Sequence, residues 1–433
     1  MSFFTRFRSF TLGLMLLPVL ATAQPGAVVN DTVIQGPNYV NDIWYSLTTG
    51  NKTSQPRAAW DLAFQISTRS AGIWVNTARG MRLYEATTDT GTFATLSAAD
   101  TAGKVNANQA LWNAETTWVN GAFNAQRSST DQFDEGWGQY DITVHEVLGK
   151  RIFFLKLADN TWKKIWIPML DPKATSQTYY VRYANLDGTG DTVITIDRRN
   201  YTNKNFAYYS FATKAQADLE PVNTSWDLLF TRFNVASQLY TVAQGIFQND
   251  GVTALKFAPV NVDTVGLTSA TVATFSPAIN TIGWDWKKTN AGVFTLEDST
   301  TYLVKAKDGS IWKIIFTSFI GSSAGRSTFT KQRLAAATGT EGDLSRSLNA
   351  VLFPNPAGSS SPVNLAIDNN ANLRSLNLRI MDVAGRTLRS SQLELNNGLN
   401  ALSLNTAELG TGVYLVQLAG DGYSQTLRLV VNR

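Results

Sequence analysis

The sequence predicts an all-β chain: two tandem antiparallel β-domains followed by a small C-terminal β-sandwich. Three observations carry this. Apolar residues alternate in short runs bounded by turn dipeptides, as half-buried strands require. Helical periodicity is scarce, and only Ser97 to Ala114 is expected to form a short helix. A set of blocks also occurs twice in the same order, the mark of an internal duplication.

The chain opens on a segment read as an export leader. Arg6 and Arg8 form a basic region, Phe10 to Leu20 an apolar one, and Ala21-Thr22-Ala23 a small-residue cleavage site, so residues 1–23 are expected to be a signal peptide. Its apolar run is shorter than the roughly 20 residues of a membrane-spanning helix. No later segment reaches that length without charges, and no transmembrane segment is expected in the mature chain.

With no cysteine in the sequence, disulfides, thiolate metal sites, cysteine nucleophiles and a lipidated N-terminus are all excluded. The 37 basic residues barely exceed the 33 acidic ones and do not cluster, which argues against a nucleic-acid partner.

The duplicated blocks place one copy at residues 38–170 and the other at 184–324. Asp42-Ile43-Trp44-Tyr45-Ser46-Leu47 matches Phe206-Ala207-Tyr208-Tyr209-Ser210-Phe211, and Trp60-Asp61-Leu62-Ala63-Phe64 matches Trp226-Asp227-Leu228-Leu229-Phe230. Gly136-Trp137 is paired with Gly283-Trp284, and the run Phe154–Ile165 with Leu303–Ile314, which matches Trp162 to Trp312. Asp159-Asn160 and Asp308-Gly309 interrupt those last runs as hairpin turns. Residues 325–349 are expected to be a flexible linker.

From residue 350 to 433 the chain changes character. Pro354-Asn355-Pro356 follows an apolar run and bars a helix. Asp382-Val383-Ala384-Gly385-Arg386 reads as a turn between alternating runs, and Gly412-Val413-Tyr414 opens another strand. This order resembles the C-terminal sorting domain of the type IX secretion system of Bacteroidota. The resemblance implies Pro354, Asn355, Pro356, Asp382, Gly385, Arg386, Gly412 and Tyr414 as the sorting motif. It also implies the type IX machinery as a partner, passage through the periplasm, and delivery to the outer-membrane cell surface or the medium.

The body resembles the HmuY family, all-β haem-scavenging proteins of Bacteroidota. The carriers are the Trp-Asp-Leu-x-Phe blocks, Gly72-Ile73-Trp74-Val75-Asn76, and the late hairpin ending in Trp-Lys-Ile. The resemblance implies haem as ligand, taken free or from a haem-carrying host protein, with two axial side chains. The chain holds a single histidine, His145, and outside leader and tail the methionines are Met81 and Met169, all in the first copy. The pairs His145/Met169 and His145/Met81 are the candidates, and tyrosine ligation stays open.

Catalytic readings find little support. There is no Gly-x-Ser-x-Gly elbow, and the carboxylate pairs Asp134/Glu135 and Glu297/Asp298 are adjacent residues whose side chains diverge on a strand. Asp187-Gly188-Thr189-Gly190-Asp191 offers oxygen ligands without the spacing of a calcium hand. Of the tryptophans, Trp60, Trp226, Trp162 and Trp312 recur between copies and read as core, whereas Trp74, Trp112, Trp118 and Trp286 are the contact candidates. The expectation is a non-enzymatic binding protein, with a structural or adhesive surface module as the alternative.

Overall fold

The computed structural model describes residues 25–67, 70–173, 175–271, 273–290, 293–336, 348–358, 362–369, 373–383, 385–396, 398–420 and 423–432. The leader, with Ala21 and Ala23, lies outside the described residues. Nearly all regular structure is antiparallel strand. The stretch 97–114 forms two 3-10 turns, Ala98–Thr101 and Ala107–Gln109, in place of the expected helix. Its run of Ala, Asn, Thr and Asp has no apolar stripe to bury along one helix face.

The body, from Val28 to Ala335, consists of two lobes built to one plan. In the first, strands run in the order Thr192–Asp197, Thr178–Asn185, Trp162–Asp171, Ile152–Lys156, Arg82–Thr87. In the second the order is Val28–Ile34, Arg326–Ala335, Ile311–Ile320, Thr301–Lys305, Thr253–Phe257. Each lobe adds a hairpin (Gly138–Gly149, Lys287–Leu296) and a four-stranded sheet.

The copies are not consecutive self-contained domains, because they exchange strands. Phe206–Ser210 of the second copy pairs with Leu62–Gln65 of the first, while Asn41–Tyr45 of the first pairs with Leu228–Val235 of the second. The registers are the same: Tyr209 opposes Leu62 as Tyr45 opposes Leu228, and Ala207 opposes Phe64 as Ile43 opposes Phe230. The boundary expected between 170 and 184 is therefore crossed by the sheet, since Thr178–Asn185 continues the first lobe. The linker expected from 325 begins as the strand Arg326–Ala335, which pairs along the whole length of Val28–Ile34.

The two Trp-Asp blocks explain how each exchanged strand is held. Asp61 Oδ2 accepts from the Phe211 amide at 2.7 Å, and Asp227 Oδ2 accepts from the Leu47 amide at 2.7 Å. Both aspartates are buried, so each satisfies an amide that water does not reach. Asn76 and Asn249 repeat a second fastening, donating from Nδ2 to the carbonyls of Trp60 and Trp226.

Each lobe has its own core. The first gathers Leu62, Phe64, Met81, Trp137, Phe153 and Tyr179, the second Tyr45, Phe230, Trp286, Tyr302, Trp312 and Phe329. A third, aromatic layer (Trp44, Trp74, Trp118, Phe206, Phe233, Phe247) joins the two four-stranded sheets, with Trp118 Nε1 donating to the Gln248 carbonyl at 3.0 Å.

Two sequence pairings shift in three dimensions. Trp137 precedes the hairpin strand Gly138–Asp141 as Trp286 precedes Lys287–Asn290, and both fill a core, so Trp286 rather than Trp284 is its counterpart. Trp162 opposes Lys156 where Ile311 opposes Lys305, which sets Trp162 and Trp312 one residue out of phase. One residue turns a side chain to the other face of a strand. Trp162 accordingly packs outside the first-lobe core, whereas Trp312 enters that of the second lobe.

The tail is a separate sandwich of a three-stranded sheet (Leu348–Phe353, Val363–Asn369, Gly398–Leu404) and a four-stranded one (Thr387–Glu394, Ser375–Asp382, Gly412–Gly420, Tyr423–Val431). Leu365, Ile367, Leu378, Ile380, Val416, Leu418 and Leu429 fill the space between them.

Candidate functional site

Among the described residues, three recesses of the body are candidates. The first opens at the aromatic layer between the lobes, among Asp42, Trp44, Trp60, Trp74, Trp118 and Tyr208, and encloses about 60 Å³. That is room for a few waters and far below the size of a small-molecule site. The second, about 450 Å³, is a shallow cleft around Trp112, Asn113, Arg127, Asn234 and Tyr240. Both faces of the Trp112 indole are taken there: Tyr240 stacks on it at 4.5 Å, and Arg82 lies over it at 4.4 Å.

The third is the largest of these. It is a groove of about 680 Å³ in the second lobe, lined by Tyr39, Trp284 and Phe294 together with Arg232, Gln244 and Lys287. Its lining contains three cations and no carboxylate. Lys288 is answered by Glu297 at 2.9 Å, but Lys287 is 6% exposed and donates only to the carbonyls of Gln244 (2.9 Å) and Trp284 (3.3 Å). Its ammonium rests over the Trp286 ring at 3.9 Å and the Phe319 ring at 4.6 Å. Desolvation pushes the Lys287 pKa down to about 7, with Asp285 pulling weakly the other way. Arg232 lies over Tyr39 at 5.7 Å, and its Nε is buried without a hydrogen-bond partner.

The residues singled out from sequence are scattered. His145 is exposed in the turn of the first-lobe hairpin, with Nδ1 at 3.0 Å from the Tyr140 hydroxyl. Met81 is fully buried in the first-lobe core, and Met169 is half-buried on a strand opposite Leu148 and Tyr180. None of the three lines a described recess. Trp74, Trp118 and Trp286 are core residues, leaving Trp112 alone of that group near the surface.

The carboxylates are engaged as well. Asp134 pairs with Lys150 at 2.8 Å and accepts from two amides, Glu135 pairs with Arg127, and Glu297 with Lys288. Asp191 is forked by Arg182 at 2.6 and 2.9 Å, which removes it from the suggested calcium loop. Among the described residues no three acidic or histidine side chains converge on a metal position.

The sorting motif is built of turn and strand-end residues. Arg386 donates from its amide and Nε to the two Asp382 oxygens at 2.9 and 3.1 Å, closing a turn whose Gly385 sits at φ 80°. Asn355, between Pro354 and Pro356, clamps the last strand by donating to the Arg428 carbonyl at 2.6 Å and accepting from the Val430 amide at 2.9 Å. Tyr414, two residues into the strand from Gly412, donates its hydroxyl to the Gly410 carbonyl at 3.0 Å.

Residues 351–432 match the family of secretion system C-terminal sorting domains. The tail is a type IX sorting domain. It marks the chain for export to the cell surface or the medium and implies contact with the type IX machinery. No helix of the described residues is long and apolar enough to cross a membrane. No curated protein matches the chain. A solved structure, the BSP domain of a biofilm associated protein, is similar at 8% identity and a TM-score of 0.15, over 95% of this chain and 67% of that one, too low to bear on the fold.

Arg232 escaped the sequence reading although a signal was present. Leu228, Phe230 and Arg232 share one face of a strand, so a charge ends an apolar row. Lys287 had no such signal, because its burial depends on the hairpin that folds over it.

Proposed function

We propose that the chain is a non-enzymatic binding protein that type IX export carries through the periplasm to the cell surface or the medium. The supporting observation is a sorting domain joined to a body with a groove of about 680 Å³ lined by aromatic and cationic side chains. That volume lies within the range of small-molecule sites, which are mostly apolar with a few placed polar groups. The HmuY resemblance of the duplicated blocks suggests haem or another porphyrin as the ligand, drawn free or from a host haem carrier.

A structural or adhesive role is the second reading. What favours it is the placement of His145 in an exposed turn and Met81 inside a core, which sets the two side chains apart.

An absorbance titration of the exported protein with haem separates the two, with His145→Ala alongside. A Soret shift at stoichiometric haem that collapses in the variant assigns His145 as a ligand. A shift that survives moves ligation to another residue, Tyr39 in the groove being the first to replace. The spectrum of free haem at every ratio rejects porphyrin capture and leaves the structural or adhesive reading.

A further inference from the structure

The duplication supplies an internal control for the second-lobe groove. Because the strand registers coincide, the two buried cations of the groove can be matched to first-lobe positions. Leu228, Phe230 and Arg232 correspond to Leu62, Phe64 and Ile66, and there Ile66 completes the first core. Lys287 corresponds to Gly138, the first residue of the matching hairpin strand. A Cβ at Gly138 would meet the Leu148 carbonyl oxygen at 2.7 Å and Val147 at 2.9 Å, so the first lobe is closed where the second holds an ammonium. The frame therefore does not need these two cations.

The cations are also drawn together. Arg232 and Gln244 are cross-strand partners, and the Gln244 carbonyl is one of the two acceptors of the Lys287 ammonium. The nearest carboxylates are committed elsewhere: Asp285 to Lys256 at 2.6 Å, Glu297 to Lys288 at 2.9 Å. A buried cation without an anion is costly, and the cost is recovered when an anion arrives with good hydrogen-bond geometry.

We propose that this groove binds an organic anion, its carboxylate held between Arg232 and Lys287 and its flat apolar body against Trp284 and Phe294. The inference rests on the binding role proposed above and names the chemistry of its site. Arg232 and Lys287 both line the groove, the guanidinium offering a planar fork and the ammonium a point charge. Trp284 and Phe294, both half-buried, offer the apolar wall.

The test is calorimetric titration of the full exported chain with 2-naphthoate, and with 2-naphthalenemethanol as its neutral counterpart. The expected result is saturable binding of the carboxylate that Arg232→Met and Lys287→Met each weaken by about tenfold or more, the alcohol binding weakly and alike in all proteins. Thr289→Trp, which fills the groove from its exposed rim and leaves both cations in place, should abolish binding without lowering the melting temperature. No binding of naphthoate at millimolar concentration, or binding that survives both methionine variants, overturns the proposal. If naphthoate fails while haem still binds, the groove is rejected and the binding role stands. If both fail, both are rejected.

Discussion

The two lobes share strand order, register and aspartate fastenings, yet one is packed shut at the place where the other carries charge. Ile66 finishes the first core and Gly138 leaves no room for a side chain, whereas Arg232 and Lys287 occupy the matching positions of the second lobe. The frame is a property of backbone pairing and a few buried caps. The interior of each lobe is set separately, so one frame carries a closed face in the first lobe and a cationic groove in the second.

The largest expected effect tests how far the lobes are one object. Trp137 and Trp286 are each no more than 1% exposed, and replacing either by alanine should cost about 4 kcal/mol. Because the strands are exchanged, both variants should shift one common urea transition of the body, followed by tryptophan fluorescence. Two separated transitions, one per variant, would show that the lobes unfold independently.

The aspartate fastenings come next. Asp61→Ala strands the Phe211 amide and unpairs Arg79, while Asp227→Ala strands the amides of Leu47 and Lys307. Losses of about 2 kcal/mol or more are expected for each, with the asparagine variants recovering part. Equal tolerance of both alanine variants would remove these contacts from the account of how the exchange is held.

The smallest effect sharpens the contrast in charge. Lys287→Met should stabilise the protein by about 1–3 kcal/mol in neutral solution, since it replaces an uncompensated buried cation with an apolar chain of similar length. The folded Lys287 loses its proton near pH 7, whereas in the unfolded chain it keeps it to about 10.4. Between these values the unfolded state binds more protons, so stability rises with pH. The penalty is full below about pH 7 and is relieved above it, and the gain from Lys287→Met should shrink as pH climbs from 7 toward 10. The other charged groups around it are Asp285, Arg232 and the Lys288–Glu297 pair, none of which faces it as an ion-pair partner at bonding distance. A gain that stays flat across that range would mean that Lys287 titrates at its ordinary value.

The tail was the most legible part of the sequence because its motif residues are turn formers and clamps, whose identity is demanded locally. Asp382, Gly385 and Arg386 do the same work wherever such a turn occurs. The all-β class and the repeat were legible for a similar reason, since Trp-Asp-Leu-x-Phe carries both a core anchor and a buried cap. Strand exchange was not legible, because alternation tells which face a residue takes and not which strand lies beside it. The tryptophan pairings slipped by one and two residues where several tryptophans stand close together, as in Trp284-Asp285-Trp286. His145 drew attention by being single, and its position in a turn shows how little rarity says about placement.

The strand Arg326–Ala335 completes the sheet begun by Val28–Ile34, and Thr32 and Thr328 meet across that seam 296 residues apart in the chain. The sorting domain follows directly behind it. A chain that carries the address has therefore also carried the piece that closes the body, and one broken off earlier has neither.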